Sequence, residues 1–338
     1  MQIFKKVLFP AILLGSMMLC ACSTDEPEST EGTGTTSENN SSITINANGS
    51  TSSSGVVFSP IDENTFYLDF IKYKIVDSHL EIVGYDPVEI AENVKPFATV
   101  KYNGTTYQTR KIQDFAFENS EIKSIEIPST VISIGLYAFA GSKLFSVKFP
   151  KGLLELRRQS FFGCENLTTI SLPSGLKSCA PYAFALCYSL TSVYFSEGIE
   201  NIEYNSFCGC YNLKSIQFPS TLKRIYAEAF GWCYNLKTIS LSDGIEDISE
   251  YAFCNCFNLD TITCASIKPP HLSKYAFVCV SSMPYDLDEI LRDHIEIPEY
   301  ITSDYSIYNH VLLKVPQYSI ETYRNSDGWE LVKSIVAI

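Results

Sequence analysis

The chain has 338 residues, of which 46% are hydrophobic and 19% are charged, and its formal net charge is −13 with a sequence pI ≈ 4.8. A chain this acidic has no basic surface that would attract a phosphate backbone. Nucleic acid and anionic lipid headgroups are therefore excluded as partners of the folded part. The hydrophobic share is large enough to bury a continuous core.

Residues 1–21 have the features of a bacterial export signal. Lys5 and Lys6 supply the positive start, and the apolar run 7–19 is too short to span a membrane. The sequence Leu19-Cys20-Ala21-Cys22 resembles a lipobox, which implies cleavage before Cys22 and acylation of that residue. Several acyl chains on Cys22 would hold the protein to a membrane. An ordinary secretory signal cut nearby is the alternative.

Residues 22–42 are predicted to form a disordered acidic tether. The segment is rich in Ser, Thr, Glu, Asn and Gly and has almost no apolar residues with which to build a core. Acidic residues directly after Cys22 resemble the surface-export signal of lipoproteins in some Gram-negative bacteria. That resemblance implies an outer-membrane lipoprotein exposed at the cell surface, and a plain acidic spacer is the alternative.

Residues 43–112 are predicted to be a β-rich cap on the N-terminal side of the repeats described next. Short apolar or alternating runs at 66–70, 72–75 and 80–83 indicate strands. Residues 100–107 predict a hairpin, because the pair Asn103-Gly104 favours a type I′ turn. A separate ligand-binding β domain is the alternative.

A repeat of 22 or 23 residues occupies residues 113–265 in seven units. Each unit contains one phenylalanine: Phe117, Phe139, Phe161, Phe184, Phe207, Phe230 and Phe253. In the fifth unit, Ile216 and Phe218 have the alternating spacing of a strand and Pro219 ends it, so each unit is predicted to supply one short strand and a turn. A unit of this length cannot enclose a core alone, whereas stacked units can, which predicts a mainly β repeat solenoid. Ile112 precedes Phe117 as Ile202 precedes Phe207, so the N-terminal region should join the stack in register.

Two outward columns follow from the repeat. A hydroxyl residue precedes the first buried strand position in every unit, and we expect hydrogen bonds between rungs there, with a binding role as the alternative. These residues are Ser124, Ser146, Thr169, Ser192, Ser215, Thr238 and Thr261. A second column alternates Glu200-Asn201, Lys223-Arg224 and Glu246-Asp247, so opposite charges should meet on neighbouring rungs.

The twelve cysteines suggest buried thiols rather than a disulfide framework. Five occupy one core position of the repeat: Cys164, Cys187, Cys210, Cys233 and Cys256. Cys179 and Cys264 fall on two other core positions, where other units carry Ile or Leu. Side chains stacked in parallel fit a bridge poorly, so free thiols are expected, although disulfides remain the alternative. Without histidine among them, these cysteines predict no metal site.

The units resemble the BspA-like leucine-rich repeats of surface proteins from Gram-negative anaerobes. The resemblance is carried by runs such as Ala183-Phe184-Ala185-Leu186-Cys187-Tyr188-Ser189-Leu190-Thr191-Ser192-Val193 and Leu213-Lys214-Ser215-Ile216-Gln217-Phe218-Pro219. It implies a solenoid of leucine-rich-repeat type with an N-terminal β cap and a C-terminal α/β cap. It also implies adhesion, without naming a ligand.

One aromatic column is a candidate ligand-binding site. Aromatic residues follow the ladder cysteines at Tyr188, Tyr211, Tyr234 and Phe257, and Trp232 lies in a nearby turn. Such a column suits stacking on sugar rings or anchoring a protein partner. The favoured interpretation is structural: the rings shield the turns, and Asn166, Asn212, Asn235 and Asn258 bond the turn backbone.

Residues 266–338 are predicted to form a last, irregular repeat with an insertion at 280–310 and a C-terminal cap. The strand should resume at residues 313–315, followed by a short helix that begins after Ser319 and by Trp329 over the end. The acidic insertion suggests a short helix at 286–294, and a Ca²⁺ site there is an alternative that lacks the usual Gly-containing loop.

No catalytic motif accompanies the four histidines, so we expect no enzyme and no cofactor. The sequence predicts a monomeric, lipid-anchored surface protein that binds an extracellular protein or glycan. The alternatives are a carbohydrate-binding accessory lipoprotein that uses the aromatic column and a structural envelope lipoprotein.

Overall fold

Each repeat forms one coil of a β solenoid, and each coil contains two short strands instead of the single strand predicted. In the fifth unit, Ser215–Gln217 is followed by a turn and then by Arg224–Ile225. A strand of two residues is too short to show an alternating pattern in the sequence, so the second strand was missed.

The structure, a computed structural model, describes residues 38–46, 49–53, 55–88, 91–278 and 307–338. Residues Glu38–Ile338 form one compact unit. Its strands are β1 (Ser42–Thr44), β2 (Phe58–Pro60), β3 (Thr65–Leu68), β4 (Ile71–Val76), β5 (His79–Tyr85), β6 (Asn93–Val94), β7 (Thr99–Tyr102), β8 (Thr105–Ile112), β9 (Ser124–Glu126), β10 (Ser133–Ile134), β11 (Ser146–Lys148), β12 (Glu155–Leu156), β13 (Thr169–Leu172), β14 (Ser178–Cys179), β15 (Ser192–Phe195), β16 (Asn201–Ile202), β17 (Ser215–Gln217), β18 (Arg224–Ile225), β19 (Thr238–Leu241), β20 (Asp247–Ile248), β21 (Thr261–Cys264), β22 (His271–Leu272), β23 (Leu312–Val315) and β24 (Ser334–Ala337).

All pairing between coils is parallel and in register. The first strands of the coils form what we call the first-strand ladder, made of two five-stranded sheets in the orders β6-β9-β11-β13-β15 and β17-β19-β21-β23-β24. The second strands form the second-strand ladder, in which β8, β10 and β12 precede β14 to β22. Cys264 pairs with Leu241 and Cys179 with Ile202, which confirms the core positions assigned to both cysteines.

The phenylalanine column is the spine of the interior. Phe277 adds an eighth member, and all eight side chains are fully buried. Neighbouring ring centroids lie 4.9–5.5 Å apart with interplanar angles of 1–13°. Tyr85 stacks on Phe117 at 5.8 Å and so extends the column by one ring on its N-terminal side.

Two left-handed residues flank each core phenylalanine of the seven predicted units. They stand two positions before it (φ 52–63°) and two positions after it (φ 55–74°), as in Asn205 and Gly209 around Phe207. This alternation turns the amides of all three residues towards the next coil, where they donate to the carbonyls of Ala227, Ala229 and Gly231 at 2.8–3.1 Å. Each turn is therefore hydrogen-bonded from coil to coil although it contains no strand.

The N-terminal region continues directly into the second-strand ladder. Strands β2 to β5 form an antiparallel meander, β5 pairs in parallel with β8, and β8 pairs in parallel with β10, so that Ile112 lies beside Ile134. The predicted register is thus confirmed. The hairpin of β7 and β8 turns at Asn103 (φ 48°) and Gly104 (φ 80°), which confirms the predicted turn. A capping role for this region stays a prediction.

Order begins before the predicted end of the tether. Asn39 is buried, and its Nδ2 donates to the carbonyls of Pro96 and Glu126 at 2.9 and 3.0 Å. Strand β1 then pairs in parallel with β7. A single buried asparagine in a polar segment leaves no hydrophobic pattern, so the sequence does not reveal this docking.

The C-terminal segment completes the first-strand ladder. Strand β23 resumes the rung, with Leu313 beside Ile262, and β24 adds one more parallel strand. Between them lies helix α1 (Ile320–Arg324), which begins after Ser319 as predicted. Trp329 is fully buried and its Nε1 donates to the Pro270 carbonyl at 2.9 Å. The predicted helix at 286–294 and the Ca²⁺ alternative lie outside the described residues.

Candidate functional site

The predicted aromatic column exists, but its rings stack on one another. Centroid distances are 4.9 Å for Tyr188 and Tyr211, 5.2 Å for Tyr211 and Tyr234, and 5.3 Å for Tyr234 and Phe257. Trp232 packs edge-on against Tyr234 at 6.0 Å. Both faces of each interior ring are therefore covered by the neighbouring rings. A sugar stacks on the face of an aromatic ring, so these faces are not open to it.

Burial separates the five candidates. Trp232 and Phe257 are 4% and 7% exposed, whereas the three tyrosines are half-buried. Burial raises the pKa of Tyr188, Tyr211 and Tyr234 well above the ordinary value for a phenol. The hydroxyls of Tyr211 and Tyr234 are buried and make no hydrogen bond to the described residues. A ligand could reach the tyrosine edges, and binding by this column stays a prediction.

Two of the four asparagines predicted to bond the turn backbone do so, Asn212 and Asn258, whereas Asn166 forms no side-chain hydrogen bond in the described part of the chain. Asn212 Nδ2 donates to the Tyr188 carbonyl at 2.9 Å, and Asn258 Nδ2 donates to the Tyr234 carbonyl at 2.7 Å. Asn235 Nδ2 donates to Asn212 Oδ1 at 3.3 Å, which links two turns side by side.

A second hydrophobic cluster lies under the aromatic column and was not predicted. Its buried members are Ala185, Leu186, Cys208, Trp232 and Cys254. The column of residues after each phenylalanine runs Ala185, Cys208, Gly231, Cys254, and a Cβ on Gly231 would lie 2.9 Å from Cys254 Sγ. Cysteine at this position was missed because it occurs in only two units, so it makes no column in the sequence.

The ladder cysteines are fully buried free thiols. Each Sγ donates to the carbonyl of the phenylalanine in the preceding coil at 3.1–3.4 Å. Burial raises the pKa of Cys164 to about 12, and it also raises the pKa of Cys187, Cys210 and Cys233 above the ordinary value for a thiol. Protonated, hydrogen-bonded thiols in the core are poor nucleophiles and poor metal ligands.

The two ladders present different outer surfaces. On the second-strand ladder, Lys177 pairs with Glu200 at 3.1 Å, and Lys223 and Arg224 each pair with Glu246 at 3.6 Å. The predicted charge pairing between rungs is therefore confirmed. On the first-strand ladder, the hydroxyl residues point outward as predicted, and among them Ser124 bonds Asn93 on the neighbouring rung.

Two open depressions lie near the N-terminal and C-terminal sides of the described part of the chain. One, of about 680 Å³, is lined by Asp62, Lys72, Lys74, Glu81 and Gln113 on the N-terminal sheet. The other, of about 520 Å³, is lined by Asp247, His271, Tyr275, Asp327 and Glu330.

Within the described ranges, no three His, Cys, Asp or Glu side chains are grouped to hold a metal ion. No helix in those ranges has the length and apolarity needed to cross a membrane.

The comparisons with known proteins agree with the repeat. A family model described as a BspA type leucine rich repeat region matches residues 110–237 and 200–296, with six copies, and so covers more than half of the chain. The search of curated proteins finds no match.

Several solved structures are similar to this chain. A leucine-rich repeat protein from Bacteroides capillosus shares 28% identity over 40% of this chain and 99% of its own, with a TM-score of 0.38. The T. pallidum leucine rich repeat protein shares 24% identity over 56% and 88%, with a TM-score of 0.44. A leucine rich cell surface protein from Faecalibacterium prausnitzii shares 20% identity over 82% and 95%, with a TM-score of 0.37.

Proposed function

This chain belongs to the BspA-type leucine-rich repeat family, and we propose that it is a binding protein held at the cell surface, where the outside of its solenoid contacts an extracellular macromolecule. The observation that supports this most is the filled interior. Eight stacked phenylalanines and five buried thiols occupy the core of the coils, so the chemistry available to a partner lies on the outer faces of the ladders. A rigid, extended surface suits a macromolecule better than a small molecule.

Anchoring is the second part of the proposal. Cys22 would carry the lipid, and the acidic residues after it would direct the protein to the outer leaflet. The test is protease treatment of intact cells that express the full chain, with Cys22→Ser as the matched variant. The protein should be digested on intact cells and released into the medium by the substitution. Digestion only after lysis would instead support a structural lipoprotein that faces the periplasm.

Binding itself is tested by adhesion of those cells to immobilised extracellular-matrix proteins and glycans, against cells that lack the gene. Adhesion to at least one ligand class should depend on the protein. Equal adhesion of both strains to every ligand would contradict the proposal.

The aromatic column is kept as a candidate contact through its tyrosine edges. Replacing Tyr188, Tyr211 and Tyr234 by Ala together should lower adhesion if the column touches the ligand. Unchanged adhesion of a folded triple variant would assign the column to packing alone. We propose no catalytic role, because the nine described thiols are buried.

A further inference from the structure

The outer face of the first-strand ladder between β13 and β21 carries no charged side chain. Five consecutive rungs each direct two side chains outward from this face, which we call the hydroxyl face. These ten residues are Thr169, Ser171, Ser192, Tyr194, Ser215, Gln217, Thr238, Ser240, Thr261 and Thr263. Nine of the ten carry a hydroxyl and the tenth carries an amide, in a protein whose formal net charge is −13.

Charged side chains stand on the same ladder outside this face and on the second-strand ladder. On the same ladder, the rungs before it carry Glu126 and Lys148, which are ion-paired, and the rung after it carries Lys314. The second-strand ladder of the same coils carries the paired charges Lys177–Glu200 and Lys223–Glu246. The absence of charge on the hydroxyl face is therefore not explained by a general lack of charged residues on the surface.

The side chains of the face are not engaged by the part of the protein that the structure describes. We expected hydrogen bonds between rungs, yet none of the ten side chains forms a hydrogen bond in the described part of the chain. Neighbouring threonines outside the face do form them: Thr191 Oγ1 donates to the Thr168 carbonyl at 3.1 Å, and Thr168 Oγ1 to the Phe145 carbonyl at 3.5 Å. The side-chain donors and acceptors of the face are therefore open to solvent.

One aromatic ring stands in this face. Tyr194 is 61% exposed, whereas the rings of the aromatic column are half-buried or buried. It lies beside the seam between β15 and β17, where the first-strand ladder divides into two sheets. Its ring is therefore open to a partner that lies along the rungs.

We propose that the hydroxyl face binds an uncharged polysaccharide chain that lies across the rungs, with Tyr194 stacked on a sugar ring. The proposal rests on the proposed function and assigns its ligand class and contact surface. Rungs about 4.8 Å apart, each with two outward side chains about 6.6 Å apart, repeat the same donors and acceptors along the face. A polymer with recurring hydroxyls can bond to them at every rung, and many weak contacts add up when they are linked.

The chemistry of the face disfavours the other ligand classes. A charged polymer or an acidic protein would have to give up water around charges that the face cannot pair. Protein interfaces are rich in Tyr, Trp and Arg and poor in Ser, and this face has one Tyr and four Ser. A neutral sugar polymer meets hydroxyls and one stacking ring without either difficulty.

The test is retardation of the purified full chain in native gels that contain dextran, mannan or hydroxyethyl cellulose, with heparin and gelatin as charged and protein probes. At least one neutral polysaccharide should retard the protein. Tyr194→Ala and Ser215→Glu should each weaken that retardation about tenfold, because each removes the ring or places a charge in the contact. Matched controls are Tyr318→Ala, an exposed tyrosine elsewhere, and Ser146→Glu, which stands in the same column outside the face. Both controls should bind as the parent does.

The outcomes distinguish this inference from the proposed function. Retardation by gelatin or heparin alone would overturn the glycan inference and leave the proposed function standing. A second outcome is that a neutral polysaccharide retards the parent, Tyr194→Ala and Ser215→Glu to the same extent, with unchanged melting temperatures. That result would overturn the assignment to this face. No retardation by any probe would overturn the inference and, together with failed cell adhesion, the proposed function.

Discussion

At the residue scale, the ladder position of the coil holds either a serine or a cysteine, and the two side chains form different hydrogen bonds there. The ladder position is serine in the first two units and cysteine in the next five, and all seven side chains are buried. Ser142 Oγ lies 3.4 Å from Cys164 Sγ, whereas the hydroxyl of Ser120 makes no hydrogen bond to the described residues. Cysteine suits this place better than serine, because a thiol in an apolar core loses little when its one bond is weak.

The buried thiols lead to a reactivity prediction. Five thiols should resist iodoacetamide in the native protein at pH 8, because the packed core keeps the reagent away from a fully buried sulfur: Cys164, Cys187, Cys210, Cys233 and Cys256. Burial also raises the pKa of Cys164, Cys187, Cys210 and Cys233, so these four supply almost no thiolate. Peptide mapping by mass spectrometry after labelling should find them alkylated only when denaturant is present. Native labelling of the ladder would show that these coils open or that the thiols are not in the core.

A carboxylate on the first-strand ladder, two rungs before the hydroxyl face, predicts a pH dependence. Side-chain hydrogen bonds from Lys148 and Lys95 hold the pKa of Glu126 below its ordinary value. A depressed folded-state pKa contributes stability above the unfolded-state pKa, and this contribution is lost as the pH falls through the folded-state pKa. Because both lysines are largely exposed, the loss should be at most ~1 kcal/mol.

That dependence is measured by urea unfolding of the parent and of Glu126→Gln at pH 7 and pH 3. The free-energy gap between them should be present at pH 7 and close at pH 3. An equal gap at both pH values would mean that the ion pairs do not set it.

At the scale of the element, the turns are hydrogen-bonded between coils as the strands are, although they are not strands. The left-handed residues turn three amides of each phenylalanine segment from Phe117 to Phe230 towards the next coil. Small buried residues face each other under the aromatic column. Gly231 is the tightest of these contacts, since Cys254 of the next coil occupies the space where its side chain would be.

The close approach at Gly231 predicts a compensating pair. Gly231→Ala should destabilise the protein by about 1–3 kcal/mol, because the new methyl group overlaps Cys254 Sγ. Cys254→Ala in the same chain should recover most of that loss by removing the sulfur, which a double-mutant cycle of chemical denaturation would measure. Additive losses in the double variant would show that the two positions do not share this space.

At the scale of the whole molecule, stability should spread from neighbour to neighbour along the coils. Phe207 stacks on Phe184 at 5.5 Å and on Phe230 at 5.2 Å in the middle of the stack, whereas Trp329 packs against Tyr323 at 5.3 Å in the C-terminal segment. In a solenoid each coil contacts only its neighbours, so a defect should act locally if it lies at an end and should divide the stack if it lies in the middle.

This contrast predicts two patterns of hydrogen exchange. Phe207→Ala should cost about 3–5 kcal/mol and speed exchange in the coils on both sides of it. Trp329→Ala should speed exchange in β22 to β24 and leave β9 to β15 protected. Tyr318→Ala, at 95% exposure, is the control and should change neither. Uniform loss of protection in both variants would mean that the coils unfold as one unit.

The sequence by itself determined the period, the parallel register, the buried phenylalanines and thiols, and the charge pairs between rungs. It could do so because stacking places each residue beside its own copy, so that one unit predicts the environment of the next. Tertiary structure alone decided the second strand, the left-handed turns, the docking of Asn39 and the cluster at Cys208 and Cys254. These features depend on pairing partners and close approaches in neighbouring coils. Strands of two residues and side chains that do not repeat leave no pattern in the sequence from which such contacts could be predicted. For the same reason, the sequence could not show that the hydroxyls of the face between β13 and β21 bond to none of the described residues.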